Sequence, residues 1–378
     1  MNSQIAFNRI LLSIFLLLAG EVFSQSVEEI ISNKVQQYYD STKLPAIVAS
    51  YLPKDKRHVT LAFGIDDRAT MKRMSATTRM PGGSTGKTFV MALAMQLINE
   101  GKFNLDDKVE MWLGTEDWFE RLPNANDLTI RNLLQHTTGV ERYEFKADFV
   151  KLATSKKDKV WEPEELVSFV LDDKPLFEAG KGFTYSDTNF IILGMVIEKV
   201  SGIPYYDQVI ERFIKPLKLK SVEPQLQRKY KNLSVGYSSN EDPLGFKGRS
   251  LDENGEFRYN VQFEWTGGGL IFNASDYAKW LQQLYSGNLF SQELFEIVTT
   301  GIDANEIGGQ YGLGTQIMTI EGMTFFGHSG FFPGYLTIGF LNEKDGTVFV
   351  MQGNSSEPEY IKPFFDLYFE ILVELANK

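Results

Sequence analysis

The sequence predicts an α+β domain in which strands near both chain ends share one mixed sheet and a mostly helical stretch is inserted between them. Three observations predict it. Strand-like apolar segments occur soon after the start of the chain and again after Trp265. Between them, over roughly residues 88–235, helical patterns dominate. The order also lacks the regular β-α-β alternation of a doubly wound sheet.

The elements follow in chain order. Arg9 precedes the apolar run "ILLSIFLLLAG", and Ser24 offers a small residue for cleavage, so residues 1–24 read as a secretory signal peptide. The run is well short of the ~20 apolar residues that span a bilayer. Residues 25–378 are then the expected mature domain, periplasmic or secreted, with the cell envelope as a peripheral partner. No cysteine is present, so the chain has neither a disulfide framework nor a thiol for lipid attachment. "VEEIISNKVQQYY" places Ile30, Ile31, Val35 and Tyr38 on one helical stripe. "AIVASYL" and "HVTLAFG" read as strands. The segment after Thr88 is apolar through Ile98 and stops at Gly101, which predicts a buried helix with a glycine C-cap. "TIRNLLQH", "PEELVSFVLDD" and "NFIILGMVIEKVSG" continue the helical pattern. "YGLGTQIMTI", "MTFFGH", "YLTIGFLN" and "TVFVMQG" return to strand. The chain closes on an amphipathic helix, apolar at Ile361, Phe364, Phe365, Tyr368, Leu372 and Leu375 despite Pro363.

Composition excludes several functions. A net charge of −11 and a pI near 5.0 argue against nucleic acid, which needs a basic face. His58, His136 and His328 are the only histidines, far apart and without thiolates, so no metal and no other cofactor is expected.

The stretch "PGGSTGKTFVMALAMQLINEG" carries the chemistry. A phosphate loop needs its first glycine where Pro81 stands, and proline also removes an N–H donor, so no nucleotide partner is expected. The G-x-S-x-G elbow of an α/β-hydrolase matches Gly82–Gly86, but polar "MSATTRMP" occupies the place of its buried strand. Ser84-Thr85-Gly86-Lys87 fits S-x-x-K. There a serine at a helix start has backbone N–H groups and the positive end of the helix dipole beside it. A lysine three residues on shares its helical face.

Two further segments follow in order: "FTYSDTNF", with Tyr185-Ser186-Asp187, and "FFGHSGFFPGY", with His328-Ser329-Gly330. Together the three motifs resemble the serine β-lactamase and penicillin-binding-protein superfamily, particularly its class C β-lactamase, esterase and D-amino-acid peptidase branch. "NLLQHTTGV", "TGGGLIFNASDYAKW" and "YGLGTQ" are similar phrases, and the resemblance covers about residues 27–355. It implies a β-lactamase/transpeptidase-like fold, with an antiparallel sheet flanked by helices. It implies Ser84 as the nucleophile that forms an acyl-enzyme, with Lys87 and Tyr185 moving its proton. The backbone N–H groups of Ser84 and Phe331 would form the oxyanion hole, with Ser329 and Gly330 on the same substrate-facing strand. His58 and His136 read as structural, and "FFPGY" (Phe331–Tyr335) and Trp265 as candidates for an apolar acyl pocket, with core packing as the alternative.

Two departures shape the expected activity. Asp187 stands where the family usually has asparagine, so Lys87 is expected to stay cationic and Tyr185, its pKa lowered by that cation, to act as base. His328 replaces the lysine typical of β-lactamases and is expected to supply a positive charge to the substrate only partly at neutral pH. The resulting expectation is an exported serine hydrolase for a small-molecule or peptide substrate, a D-alanyl peptide or a related amide or ester. The alternatives are a carboxylesterase for neutral acyl substrates and a catalytically silent recognition module.

Overall fold

The computed structural model describes residues 25–42, 46–54 and 57–378, so the signal-peptide reading of residues 1–24 lies outside the described residues. Strand β1 (Ala46–Leu52) pairs with β2 (Val59–Asp67), which pairs with the short β3 (Lys72–Arg73). The remaining strands of this sheet come from the other end of the chain: β4 (Ile302–Ala304), β5 (Gly309–Tyr311), β6 (Gln316–Ile320), β7 (Met323–Phe332), β8 (Tyr335–Asn342) and β9 (Val348–Gly353). The order is β3-β2-β1-β9-β8-β7-β6-β5-β4, nine strands with every neighbouring pair antiparallel. The sheet is therefore antiparallel, as the resemblance implied, rather than mixed as the strand pattern alone suggested: short turns link β1 to β3 and β4 to β9, and β9 returns beside β1, with Val48 opposite Gln352.

Alternation decides what each face covers. In β1, Ile47 and Ala49 join one core while Ala46 and Val48 join the other. In β8, Leu336, Ile338 and Phe340 face the first core, and Tyr335 and Leu341 the second. The first core lies under helix α1 (Val27–Thr42) and the C-terminal helix. Of the stripe read in α1, Ile30, Ile31 and Val35 are buried and Tyr38 packs at the margin.

The second core is larger and centres on α2 (Lys87–Asn99), apolar on every side, with Phe89 through Met95 buried without a break. The helix ends as read, on Gly101 at φ 71°, whose N–H and that of Lys102 return to carbonyls of the last turn. Helix α3 (Asp187–Ser201) packs against α2 and is almost as thoroughly buried. Helix α4 (Ala274–Leu284) covers the sheet and stacks Trp280 on Phe89, 3.9 Å between ring centroids. Helix α5 (Pro358–Ala376) closes the chain and continues through Pro363. Between residues 74 and 301 the described chain adds no strand to the nine-stranded sheet, and between Ile214 and α4 its one helical stretch is the short 3-10 segment Val261–Gly267. Residues 215–273 are mostly irregular, with two small sheets.

Candidate active site

The turn Gly83–Gly86 runs directly into α2, so Ser84 lies in the turn and Lys87 opens the helix. The three-residue spacing brings Lys87 Nζ to 3.1 Å from Ser84 Oγ. Lys87 is fully buried and donates to three acceptors, Ser84 Oγ, an Asp187 carboxylate oxygen and the Gly267 carbonyl. An ammonium group has three protons, and all three are used. Burial pulls the Lys87 pKa down, but the Asp187 charge, assisted by Tyr185, outweighs it and the net shift is upward. For Asp187 burial pushes up, yet the positive charges of Lys87 and Arg142 hold the carboxyl well below its ordinary range. The two directions agree. Lys87 and Asp187 form a buried ion pair at the root of the nucleophile, as the aspartate at this position led us to expect.

Asp187 is the first residue of α3, and Tyr185 sits two residues before it. That short link sets the Tyr185 ring 5.1 Å from the Lys87 ammonium, measured to the ring centroid. The expectation of a lowered Tyr185 pKa fails. Burial raises it, and Lys87 and Ser84 only partly offset that rise, against a further upward push from Asp187. The resting site therefore holds both Lys87 and Tyr185 protonated.

Two glycines let β7 reach the helix start. At Gly83, φ is 56° and a Cβ would fall 2.4 Å from the Phe331 carbonyl oxygen. At Gly330 a Cβ would fall 2.1 Å from the Gly82 carbonyl oxygen. With hydrogens alone at these positions, the strand carrying Ser329, Gly330 and Phe331 lies against the turn carrying Ser84. Along β7 the side chains of Ser329 and Phe331 are partly exposed, whereas His328 and Phe332 are buried. Gln316 fixes this segment by accepting from the Ser329 N–H at 2.9 Å and donating to its hydroxyl at 3.0 Å.

His328 corrects the expectation of a substrate-facing charge. The ring is fully buried behind Tyr185, 6.1 Å between centroids. Burial, together with the repulsion of Lys87, drives its pKa down to about 3. It is neutral at every physiological pH. The hydrogen bonds fix its tautomer. Ser186 N–H donates to His136 Nδ1 at 3.2 Å, so the His136 proton sits on Nε2, 3.3 Å from the Tyr311 hydroxyl. Tyr311 then donates to His328 Nε2 at 3.0 Å, and His328 Nδ1–H donates to the Ser329 carbonyl at 2.6 Å. His136 is thus structural, as read, but part of the site's wall. Its ring lies 4.2 Å from that of Tyr185. His58 is remote, bonded to Ser50 at 2.8 Å.

Ser84, Tyr185, Ser329, Gly330 and Phe331 line a cleft of about 490 Å³. Its rim is apolar at Phe145, Leu176, Ile307 and Phe365. Trp265 is not in this wall and packs instead against Gly194 and Tyr205. Sequence reading missed Arg142, which lines the cleft, donates from Nε to Glu144 at 2.6 Å and lies 3.5 Å from Asp187 through Nη2. It also missed Glu306, which accepts from the Thr184 hydroxyl at 2.8 Å and the Tyr185 N–H at 3.3 Å. Tyr311 lay within the phrase "YGLGTQ", which was a usable signal. Nothing in "VERYEF" alone marks Arg142.

A serine on a helix start, a lysine one turn along, a tyrosine above both and a strand edge opposite define a serine hydrolase. The family model for beta-lactamase matches residues 31–363, and the chain belongs to that family. It is 26% identical over 265 residues to the teichoic acid D-alanine hydrolase of Staphylococcus aureus, covering 69% of this chain and 59% of that protein. The chain therefore spans about three-fifths of that relative's length. Among solved structures it is similar to a D-stereospecific amidohydrolase from Streptomyces sp., with TM-score 0.71, 26% identity and 85% and 94% of the two chains covered. The D-amino acid amidase of Ochrobactrum anthropi SV3 shares the fold, with TM-score 0.79 at 20% identity over 93% of this chain and 99% of that one.

Proposed function

We propose that the chain is an exported serine hydrolase that forms an acyl-enzyme on Ser84 and acts on a D-alanyl or related D-aminoacyl ester or amide. The observation that carries this reading is the contact of Ser84 Oγ with a fully buried lysine at the inner end of an open cleft. Attack by Oγ on the substrate carbonyl places negative charge on the carbonyl oxygen, and the N–H groups of Ser84 and Phe331 are the donors for it. The Lys87–Tyr185 pair takes the serine proton and returns it to the leaving group, and water then releases the acid. Since both members rest protonated, one proton must leave the pair before attack, so activity rises with pH. The stereochemical class is supported by the relatives named for D-alanine hydrolysis and D-stereospecific amide hydrolysis.

One observation favours a carboxylesterase as second reading. His328 is neutral and part of the rim is apolar, at Phe145, Leu176, Ile307 and Phe365, so neutral acyl groups meet no charge from the motif strand and find apolar surface beside it. A fluorophosphonate probe followed by mass spectrometry tests the common core of both readings. A single adduct on Ser84, abolished in Ser84→Ala, is expected. An adduct on another serine, or undiminished labelling of the variant, overturns the assignment.

A further inference from the structure

Beside Ser84 a second, inner cavity of about 50 Å³ opens beneath the cleft. Ser84, Arg142 and Phe331 line both spaces, so the two meet at the nucleophile. The inner wall brings three carboxyl groups together, Asp187, Glu144 and Glu264. Glu144 is 3% exposed and Glu264 7%. Among the described residues, Oε2 of each finds no hydrogen-bond partner. Buried carboxyl oxygens are normally satisfied, and an unsatisfied one in a native fold calls for an explanation.

The charges give one. Asp187 is paired with Lys87 and Glu144 with Arg142, while Glu264 has no ion-pair partner among the described residues. Were all three carboxyls ionised, the group would be one positive charge short, so Glu144 and Glu264 rest largely protonated near neutral pH and ionise when a cation arrives. Burial, with the Asp187 charge added, holds Glu144 up to about 8, and burial does the same for Glu264, also to about 8. Both gain from a cation brought into the space.

We propose that the inner cavity receives the free α-ammonium group of a D-aminoacyl substrate, with Glu264 and Glu144 as its acceptors. The inference rests on the serine hydrolase reading and narrows it. The α-nitrogen is two bonds from the carbonyl carbon that Ser84 attacks, so it lies where the cavity opens. At about 50 Å³ the space has room for a small polar group such as an ammonium. An N-acylated substrate, such as a peptide-linked D-alanine or a β-lactam, has no charge to offer there.

The test compares D-alanine methyl ester, methyl D-lactate and N-acetyl-D-alanine methyl ester on the purified protein, with p-nitrophenyl acetate as a probe of the nucleophile alone. The expected result is a kcat/KM for the free-amine ester about 100-fold above the other two, since a site built for a polar group rejects analogues lacking it. Glu264→Gln should shrink that preference to within about fivefold, and Glu144→Gln should weaken it as well. If wild type turns over the three esters equally, or prefers the N-acetyl ester, while p-nitrophenyl acetate is cleaved through Ser84, this inference falls and the hydrolase reading stands. A preference unchanged in both variants also overturns it. Failure to cleave any of the four overturns both readings. Should one variant not fold, the wild-type series and the other variant decide.

Discussion

Lys87 and His328 are both fully buried titratable groups, one opening the helix behind Ser84 and the other on the strand packed against the Ser84 turn, and they rest in opposite charge states. Burial pushes both toward neutrality, because a low-dielectric surrounding disfavours the charged form. Lys87 resists because α3 begins with a carboxylate, and a helix start delivers it directly to Nζ. His328 meets only dipoles, the Tyr311 hydroxyl and the Ser329 carbonyl, and lies within the repulsion of Lys87. One partner decides the state. The region around motif one is an ion-paired centre, and the region around motif three is a neutral hydrogen-bonded wall that holds β7 and Tyr185 in place.

The largest effect should come from breaking the charged side. Lys87→Met leaves Asp187 buried with Arg142 as its remaining cation, and breaking a buried pair in this way costs about 3–5 kcal/mol. Loss of the proton-moving group should also lower hydrolysis by about 100- to 10,000-fold. Urea unfolding and ester turnover measure the two. A stability loss under about 1 kcal/mol would mean that the ion pair is not formed in solution.

The neutral side should show itself in acid. His328 titrates near 6.5 when unfolded and is held down to about 3 in the fold. A depressed histidine pKa contributes stability fully present above the unfolded value and lost as pH falls from there toward the folded value. His136, also depressed, adds to the same slope. Between pH 7 and 4.5 His328 alone should account for a loss on the order of 2–3 kcal/mol, and His328→Gln should remove that part of the slope. Equal slopes in the two proteins would mean that His328 is solvated and protonated.

How much of this was legible depended on distance along the chain. Ser84 and Lys87 are one helical turn apart, and Tyr185 and Asp187 straddle a single helix start, so local spacing carried their geometry. The same holds for α2 and its glycine cap, and for strands at both chain ends. Strand direction was not local: the strand pattern alone suggested a mixed sheet, and the antiparallel sheet that the three-motif resemblance implied is the one formed, with β9 beside β1. His328 was found by its motif, but its charge state depends on Tyr311 and on cover from distant segments, so a surface role was read for a buried ring. Arg142 and Glu144 stand in a charged run that reads as a solvated face until α3 brings Asp187 against it.

The claim that Asp187 sets the protonation of Lys87, and through it the readiness of Ser84, can be measured directly. The rate of Ser84 acylation by an ester or fluorophosphonate is followed from pH 5 to 10.5 in wild type and Asp187→Asn. Loss of one proton from the Lys87–Tyr185 pair should appear as a rising limb well above neutral pH in wild type. Removing the carboxylate takes away the attraction that favours the ammonium, so the limb in Asp187→Asn should move to lower pH by about one unit or more. Limbs that coincide in the two proteins would contradict the account, because Asp187 would then exert no hold on the charge beside the nucleophile.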